Sequence, residues 1–356
     1  MEISKLSKLI TPSGTMAISN KARILREQGK PVIGFGAGEP DFPTPEYVVK
    51  DVQVAAEDTS NHKYSPVAGL TILKEEIVRT SKLYSGINVQ QENILVSNGG
   101  KHAILTTFMS ILNPGDEVLI PSPYWTTYPE AVKISGGNPI IVDTEFDDDF
   151  KVNTDQLDAL KTSKTKILVW VSPSNPTGVV YTKEEAEKIY NWAFENNVWI
   201  LSDELYEHLV YEGMTSPSPA QYDTELNNTI IINGVAKAYS MTGWRVGWII
   251  ANTDVIDMAK KIQSHATSNV SNISQIAAYS ALKNGLNETK IMKESFNRRR
   301  LYAIEEFSNI ENVNLIKSTG AFYLFPDVSY YSSNGVINGV HNSIDFCNWL
   351  LDEYFI

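Results

Sequence analysis

Short, nearly unbroken apolar runs alternate with amphipathic stretches along most of this chain. Residues 167–171 read ILVWV and residues 198–201 read VWIL. A strand with one wet face alternates apolar and polar residues, whereas a strand covered on both faces stays apolar throughout. The second pattern predicts strands over Ile94–Ser97, Glu117–Pro121, Pro139–Val142, Lys166–Ser172, Val198–Asp203, Thr229–Asn233 and Val246–Ala251. The stretches between them have helical spacing. In one, Thr182 precedes Glu185 by three residues, a capping box that predicts a helix running to about Glu195. Repeated strand–helix units of this kind predict an α/β fold, with a large domain over residues 45–285 built on a mostly parallel sheet between helices.

The two ends read differently. Residues 1–44 hold one short amphipathic helix and then Gly34, Gly36 and Gly38. Residues 286–356 open on a helix ending at Arg298–Arg299–Arg300, pass through a strand-like AFYLF at 321–325, and finish in the helical SIDFCNWLLDEYF. The two ends are expected to meet in a smaller α+β domain. Asp147, Asp148 and Asp149 read as a solvated loop.

Composition narrows the class of protein. A chain of 356 residues exceeds what one core usually serves, which agrees with two domains. Thirty Lys and Arg against 42 Asp and Glu give a net charge of −12. That balance argues against nucleic acid or an anionic membrane as partner. The single cysteine, Cys347, excludes an intramolecular disulfide framework and a cysteine-rich metal site, and no metal is expected. No apolar run approaches the roughly 18 residues of a membrane span, and the N-terminus lacks a continuous apolar signal region. The expectation is a soluble, cytoplasmic enzyme acting on small molecules.

Four motifs follow predicted strands. Lys237 lies in NGVAKAYSMTGWRVGW, after TIIIN and among small residues. A lone lysine is usually a surface charge. At the end of a buried strand its pKa falls and its amine becomes a nucleophile. Arg245, flanked by Gly243 and Gly247, offers a fork suited to a phosphate. Asp203 ends the strand in WILSDELYEHL, either as a helix cap or as a buried carboxylate in need of a cationic partner. Tyr206 follows by about one helical turn and could face the same ligand. Asn175 sits in SPSNPTG, a Pro-rich turn or a rigid platform for its amide. SNGGKHA, with Gly99, Gly100 and Lys101, opens a helix where backbone N–H groups could meet an anion. Amine, carboxylate, aromatic hydroxyl and phosphate cradle together match what pyridoxal phosphate requires.

With AGEPDF (37–42), KYSPVAGL (63–70), PSPYWTTYPE (121–130) and STGAFYLF (318–325), these motifs make the chain resemble the fold-type I pyridoxal-phosphate aminotransferases of class I, particularly the bacterial aspartate aminotransferases. The resemblance implies a seven-stranded large-domain sheet, a homodimer and ping-pong transamination between an acidic amino acid and a 2-oxo acid. It implies Lys237 as the lysine that bonds the cofactor and moves the substrate proton. It implies Asp203 on the pyridine nitrogen, Tyr206 and Asn175 on the ring oxygen, and Trp125 on the ring face. Gly99, Gly100, Lys101, Ser240 and Arg245 fall around the phosphate, and Tyr64 would reach the partner's phosphate. Gly38, Trp125, Asn175 and Lys101 fall at the substrate. Lys101 favours aspartate or glutamate, and Thr11 before Pro12 and Ser13 disfavours prephenate. A broad-specificity or aromatic aminotransferase or a carbon–sulfur lyase on the same fold is the alternative.

Family members continue past a helix like 343–354 into strands that carry a carboxylate-binding arginine. No arginine follows Arg300 here. The expectation is a shortened small domain and a chain that binds pyridoxal phosphate but transaminates poorly. A kcat/KM for aspartate below that of a full-length relative is expected; equal values would refute it.

Overall fold

Each apolar run carries side chains for two cores, one on either face of a single sheet. The strands are β1 (Ile94–Ser97), β2 (Glu117–Pro121), β3 (Asn138–Val142), β4 (Thr165–Val171), β5 (Trp199–Asp203), β6 (Thr229–Gly234) and β7 (Gly247–Ile250). Their order is β1-β7-β6-β5-β4-β2-β3. Strands β6, β5, β4, β2 and β3 pair in parallel, and β7 runs antiparallel between β1 and β6. This is a computed structural model that describes every residue except Met1, Ser13, Ala37 and Asn334, with the side chains of Thr15 and Met16 also outside the description. Ser13 of the Thr11–Pro12–Ser13 segment and Ala37 of AGEPDF therefore lie outside the described residues.

The alternation that polarity hides is visible in the packing. In β4, Ile167 and Val169 join a core with Phe108 and Val132, while Leu168 and Trp170 join another with Ile189 and Ala193. In β6, Ile230 and Ile232 share the first core, and Ile231 packs with Leu73 and Ala277. Burying each such side chain contributes about 1.5–3 kcal/mol. Helices Gly100–Ile111, Thr127–Ile134 and Thr253–Ala266 cover one face. The other is covered by Glu46–Glu57, Thr71–Thr80 and Asn272–Asn284 at one end and by Thr154–Leu160 and Lys183–Glu195 at the other. The capping box forms: the Thr182 hydroxyl accepts the Glu185 N–H at 3.2 Å, and the Glu185 carboxylate accepts the Thr182 N–H at 2.6 Å.

All seven strands form, each end within one residue of its predicted position. Three expectations fail. The AFYLF segment is a turn and coil; the nearby strand is only Pro326–Asp327, paired with Asn314–Leu315. Ala321 adopts a φ of +54°, and its backbone is taken by the Leu209 carbonyl and the Tyr211 hydroxyl, so no ladder can run through it. The N-terminal region holds two helices, Lys5–Leu9 and Gly14–Glu27, separated where Ile10 turns extended and Thr11 precedes Pro12. The helix expected to end at Arg300 runs over Asn287–Ser308, because Arg300 is buried and donates to the Ser318 carbonyl and to Glu212, each at 2.7 Å. The two chain ends touch: Lys21 pairs with Asp352 at 2.7 Å, and the Ile33 N–H donates to the Phe355 carbonyl at 2.8 Å.

The carboxyl ends of β1, β2, β4, β5 and β6 open on one edge of the sheet, where open α/β sheets bind ligands. β7 starts at that edge, and Gly247 pairs with both Ser97 and Gly234. A Cβ at Gly247 would lie 2.7 Å from the Gly100 nitrogen and 2.8 Å from the Gly99 carbonyl carbon. Both are backbone atoms with no room to yield. Gly247→Ala is expected to lower unfolding free energy by about 1–3 kcal/mol, measured by urea denaturation, with no such loss for Ala at the open Gly243.

Candidate active site

Asp203 is the last residue of β5 and is only 3% exposed. Burial raises its pKa. The Tyr128 hydroxyl, donating at 2.7 Å, and the Leu205 N–H at 3.3 Å work against that rise, as does the charge of Lys237. Tyr128 sits in the helix after β2 and is fully buried, so the carboxylate is oriented by a hydroxyl that carries no charge. Trp125 meets the Tyr128 ring edge-on at 5.6 Å.

Lys237 follows β6 in a tight run of turns. Its Nζ donates to the Gly38 carbonyl and lies 5.7 Å from the ring centres of both Tyr206 and Phe322. Burial lowers its pKa to about 8, with Glu39 and Asp203 opposing the drop and Arg245 adding to it. An amine in that range has a sizeable neutral fraction near neutral pH and can act as nucleophile and as proton carrier.

The phosphate-type features converge on the helix that starts at Gly100. Its first turn presents N–H groups without intrahelical partners. Gly99 has a φ of +84°, and a Cβ there would lie 2.6 Å from the Arg245 guanidinium. Arg245, itself left-handed at φ +56°, donates to the Thr242 carbonyl at 2.9 Å. The Lys101 ammonium lies 5.0 Å above the Trp125 ring, and its pKa is lowered by burial and then by Arg245. Two neighbouring cations at a helix N-terminus form a site that calls for an anion.

The remaining predicted residues spread around this centre. Asn175 lines a small cavity with Tyr124 and Tyr128. The Ser240 hydroxyl donates to the Phe42 carbonyl, and the Ser240 carbonyl accepts from Thr44 at 3.0 Å. Tyr64 stands 91% exposed on the surface of the single chain. Tyr206 shares a 2.5 Å hydrogen bond with Tyr323. Gly38 lies under Tyr323: a Cβ on Gly38 would be 2.5 Å from that hydroxyl. Sequence reading missed Tyr128, Phe322 and Tyr323. All three lie within the motifs PSPYWTTYPE and STGAFYLF, the signal that could have found them.

A family model described as aminotransferase class I and II matches residues 30–356. The chain belongs to the class I and II aminotransferases. An aspartate aminotransferase of Streptomyces avermitilis is 48% identical to it over 320 residues, spanning 90% of this chain and 78% of that protein. The crystal structure of the aspartate aminotransferase from Rhizobium meliloti matches with a TM-score of 0.93 at 34% identity, covering 100% of this chain and 90% of that one. The Thermus thermophilus aspartate aminotransferase with maleate matches with a TM-score of 0.90 at 36% identity, covering 94% and 87%. This aminotransferase is a pyridoxal-phosphate enzyme. Its residues fit that group: a buried carboxylate that, among the described residues, has uncharged donors on it, a buried amine of lowered pKa, and two neighbouring cations at a helix N-terminus. Among the described residues, no helix is long and apolar enough to cross a membrane.

Glu204, next to Asp203, is also buried. It accepts from the hydroxyls of Ser202 at 2.6 Å and Ser218 at 2.5 Å. Burial, followed by the charge of Glu207, raises its pKa from 4.5 to about 8. The folded protein therefore holds a proton that the unfolded chain releases above about pH 4.5, so this group's contribution to stability falls as pH rises towards 8. Glu204→Gln is expected to flatten the fall in Tm between pH 5 and 8 in the aminotransferase, followed by thermal melts across that range.

Proposed function

We propose that this aminotransferase moves the amino group of aspartate or glutamate to a 2-oxo acid, 2-oxoglutarate or oxaloacetate. The observation that carries the reading is the convergence of Lys237, Asp203 and the Lys101–Arg245 cradle at one edge of the sheet. The relatives named aspartate aminotransferases support the substrate class. So does maleate in the Thermus structure, a four-carbon dicarboxylate like aspartate.

Pyridoxal phosphate supplies an aldehyde that takes up the amino group and a ring that spreads the electrons left at the α-carbon. Lys237 would hold the cofactor, and its amine would be the group that moves the proton at the substrate α-carbon. Asp203 accepts the N–H of the pyridine ring and keeps it protonated. Tyr206 and Asn175 donate to the ring oxygen, and Trp125 covers the ring face. Gly99, Gly100, Lys101, Ser240 and Arg245 surround the phosphate. Gly38 meets the α-carboxylate through its backbone, and Lys101 is the candidate for the distal carboxylate, with Trp125 and Asn175 beside the substrate.

The exposure of Tyr64 supports a homodimer in which it completes the partner's phosphate site. The same reading divides the chain into residues 45–285 as the cofactor domain and residues 1–44 with 286–356 as the smaller one, in a cytoplasmic enzyme. In the test, aspartate is added to the cofactor-loaded protein without an acceptor. Aspartate and glutamate are expected to bleach the visible absorbance of the bound cofactor, with 2-oxo acid released in equal amount. Lys237→Ala is expected to slow this by about 100-fold or more. An unchanged spectrum with both amino acids would overturn the reading.

A further inference from the structure

The Tyr206 hydroxyl has a partner that the proposed function leaves without a task. Tyr323 comes from the turn after Gly320, more than a hundred residues away in sequence, and its oxygen lies 2.5 Å from that of Tyr206. The two rings meet edge-on at 5.6 Å, and Phe322 packs against both, at 5.6 Å from Tyr206 and 4.8 Å from Tyr323. The turn that presents Tyr323 is fixed. The Gly178 carbonyl accepts the N–H groups of Thr319 at 3.0 Å and Gly320 at 2.7 Å, and the Leu209 carbonyl accepts the Ala321 N–H at 2.8 Å. A Cβ at Gly320 would lie 2.6 Å from Pro173 and 2.7 Å from Val180. Neither ring has much freedom to move away from the other.

Two phenol hydroxyls at that distance share one hydrogen bond, so one donates and the other accepts. Both are far from ionising: burial pushes the Tyr323 hydroxyl up to about 12 and the Tyr206 hydroxyl well above its ordinary value. Each therefore keeps one proton. If Tyr323 donates, the proton of Tyr206 is free to point into the cofactor site. If Tyr206 donates, it cannot serve there.

We propose that Tyr323 is a positioning residue that donates to Tyr206 and so directs the Tyr206 proton at the cofactor ring oxygen. This rests on the proposed role of Tyr206. The chain of hydroxyls also strengthens the outer donor, since a hydroxyl that accepts a hydrogen bond becomes a better donor. The same Tyr323 oxygen fills the space where Gly38 would carry a Cβ, and the Gly38 carbonyl holds Lys237. Tyr323 thus touches the loop that holds the lysine and the tyrosine that faces the ring.

The test uses Tyr323→Phe, Tyr206→Phe and the double variant. It reads cofactor affinity by absorbance titration of the cofactor-free protein, the pH midpoint of the bound cofactor's visible absorbance, and kcat and KM for aspartate. A donor on the ring oxygen favours its anion, so weakening that donor moves the midpoint to higher pH. Tyr323→Phe is expected to weaken cofactor binding about threefold to tenfold. It should raise the midpoint in the same direction as Tyr206→Phe but by less, and lower kcat more than it changes KM. The double variant should match Tyr206→Phe alone, since the two act as one unit. Wild-type affinity and midpoint in Tyr323→Phe, with both moved in Tyr206→Phe, would overturn the role of Tyr323 and leave the site reading standing. Additive losses in the double variant would also overturn it, and they would expose a merely structural effect if Tyr323→Phe melts lower. If Tyr206→Phe itself moves neither quantity, the site reading fails.

Discussion

A carboxylate buried without a cation of its own sets the terms for this molecule. Asp203 ends β5 inside the protein, and among the described residues its donors, Tyr128 and the Leu205 N–H, are uncharged. Ionised groups of that kind cost several kcal/mol to bury unless a positive partner arrives. Lys237 is near enough to feel the charge, yet its ammonium is turned to the Gly38 carbonyl. The two opposite charges thus face separate partners, the carboxylate a hydroxyl and an amide N–H, the amine a backbone carbonyl. The seven-stranded sheet makes this arrangement rigid, because β5 and β6 pair in register up to Asp203 and Ile232.

Much of this architecture is legible in the residues. Runs such as ILVWV specify strands covered on both faces, and Thr182 with Glu185 specifies a helix start, because both are local devices whose physics needs no distant partner. The failures share a cause. AFYLF has the composition of a strand, but its backbone groups are claimed by Leu209 and Tyr211 from another part of the chain. Arg298–Arg299–Arg300 resembles a helix end, but burial of Arg300 against Ser318 extends the helix. Tyr128 reaches Asp203 across 75 residues and Tyr323 reaches Tyr206 across 117, distances at which no periodicity carries information.

The N-terminal loop is joined to the lysine-bearing loop by several weak ties. Ser240 donates to the Phe42 carbonyl, Thr242 to Glu39 at 2.9 Å, and Trp244 to Thr44 at 2.9 Å. Further out, Arg299 grips Asp41 with two bonds of 2.7 and 3.0 Å. That pair is exposed and worth little by itself. Its effect is geometric, since the planar fork and carboxylate restrict how the loop can tilt.

The antiparallel setting of β7 has one more consequence. Gly234 pairs directly with Gly247, so residues 235–246 form a loop whose two ends are clasped together. The amine of Lys237 and the guanidinium of Arg245 are both mounted on it. The entropy of bringing its ends together is spent when the chain folds, before any ligand arrives. The two cationic side chains are thereby mounted on a closed loop whose ends the sheet already holds. Little of a ligand's affinity is then lost in arranging that loop, because the host is ordered in advance.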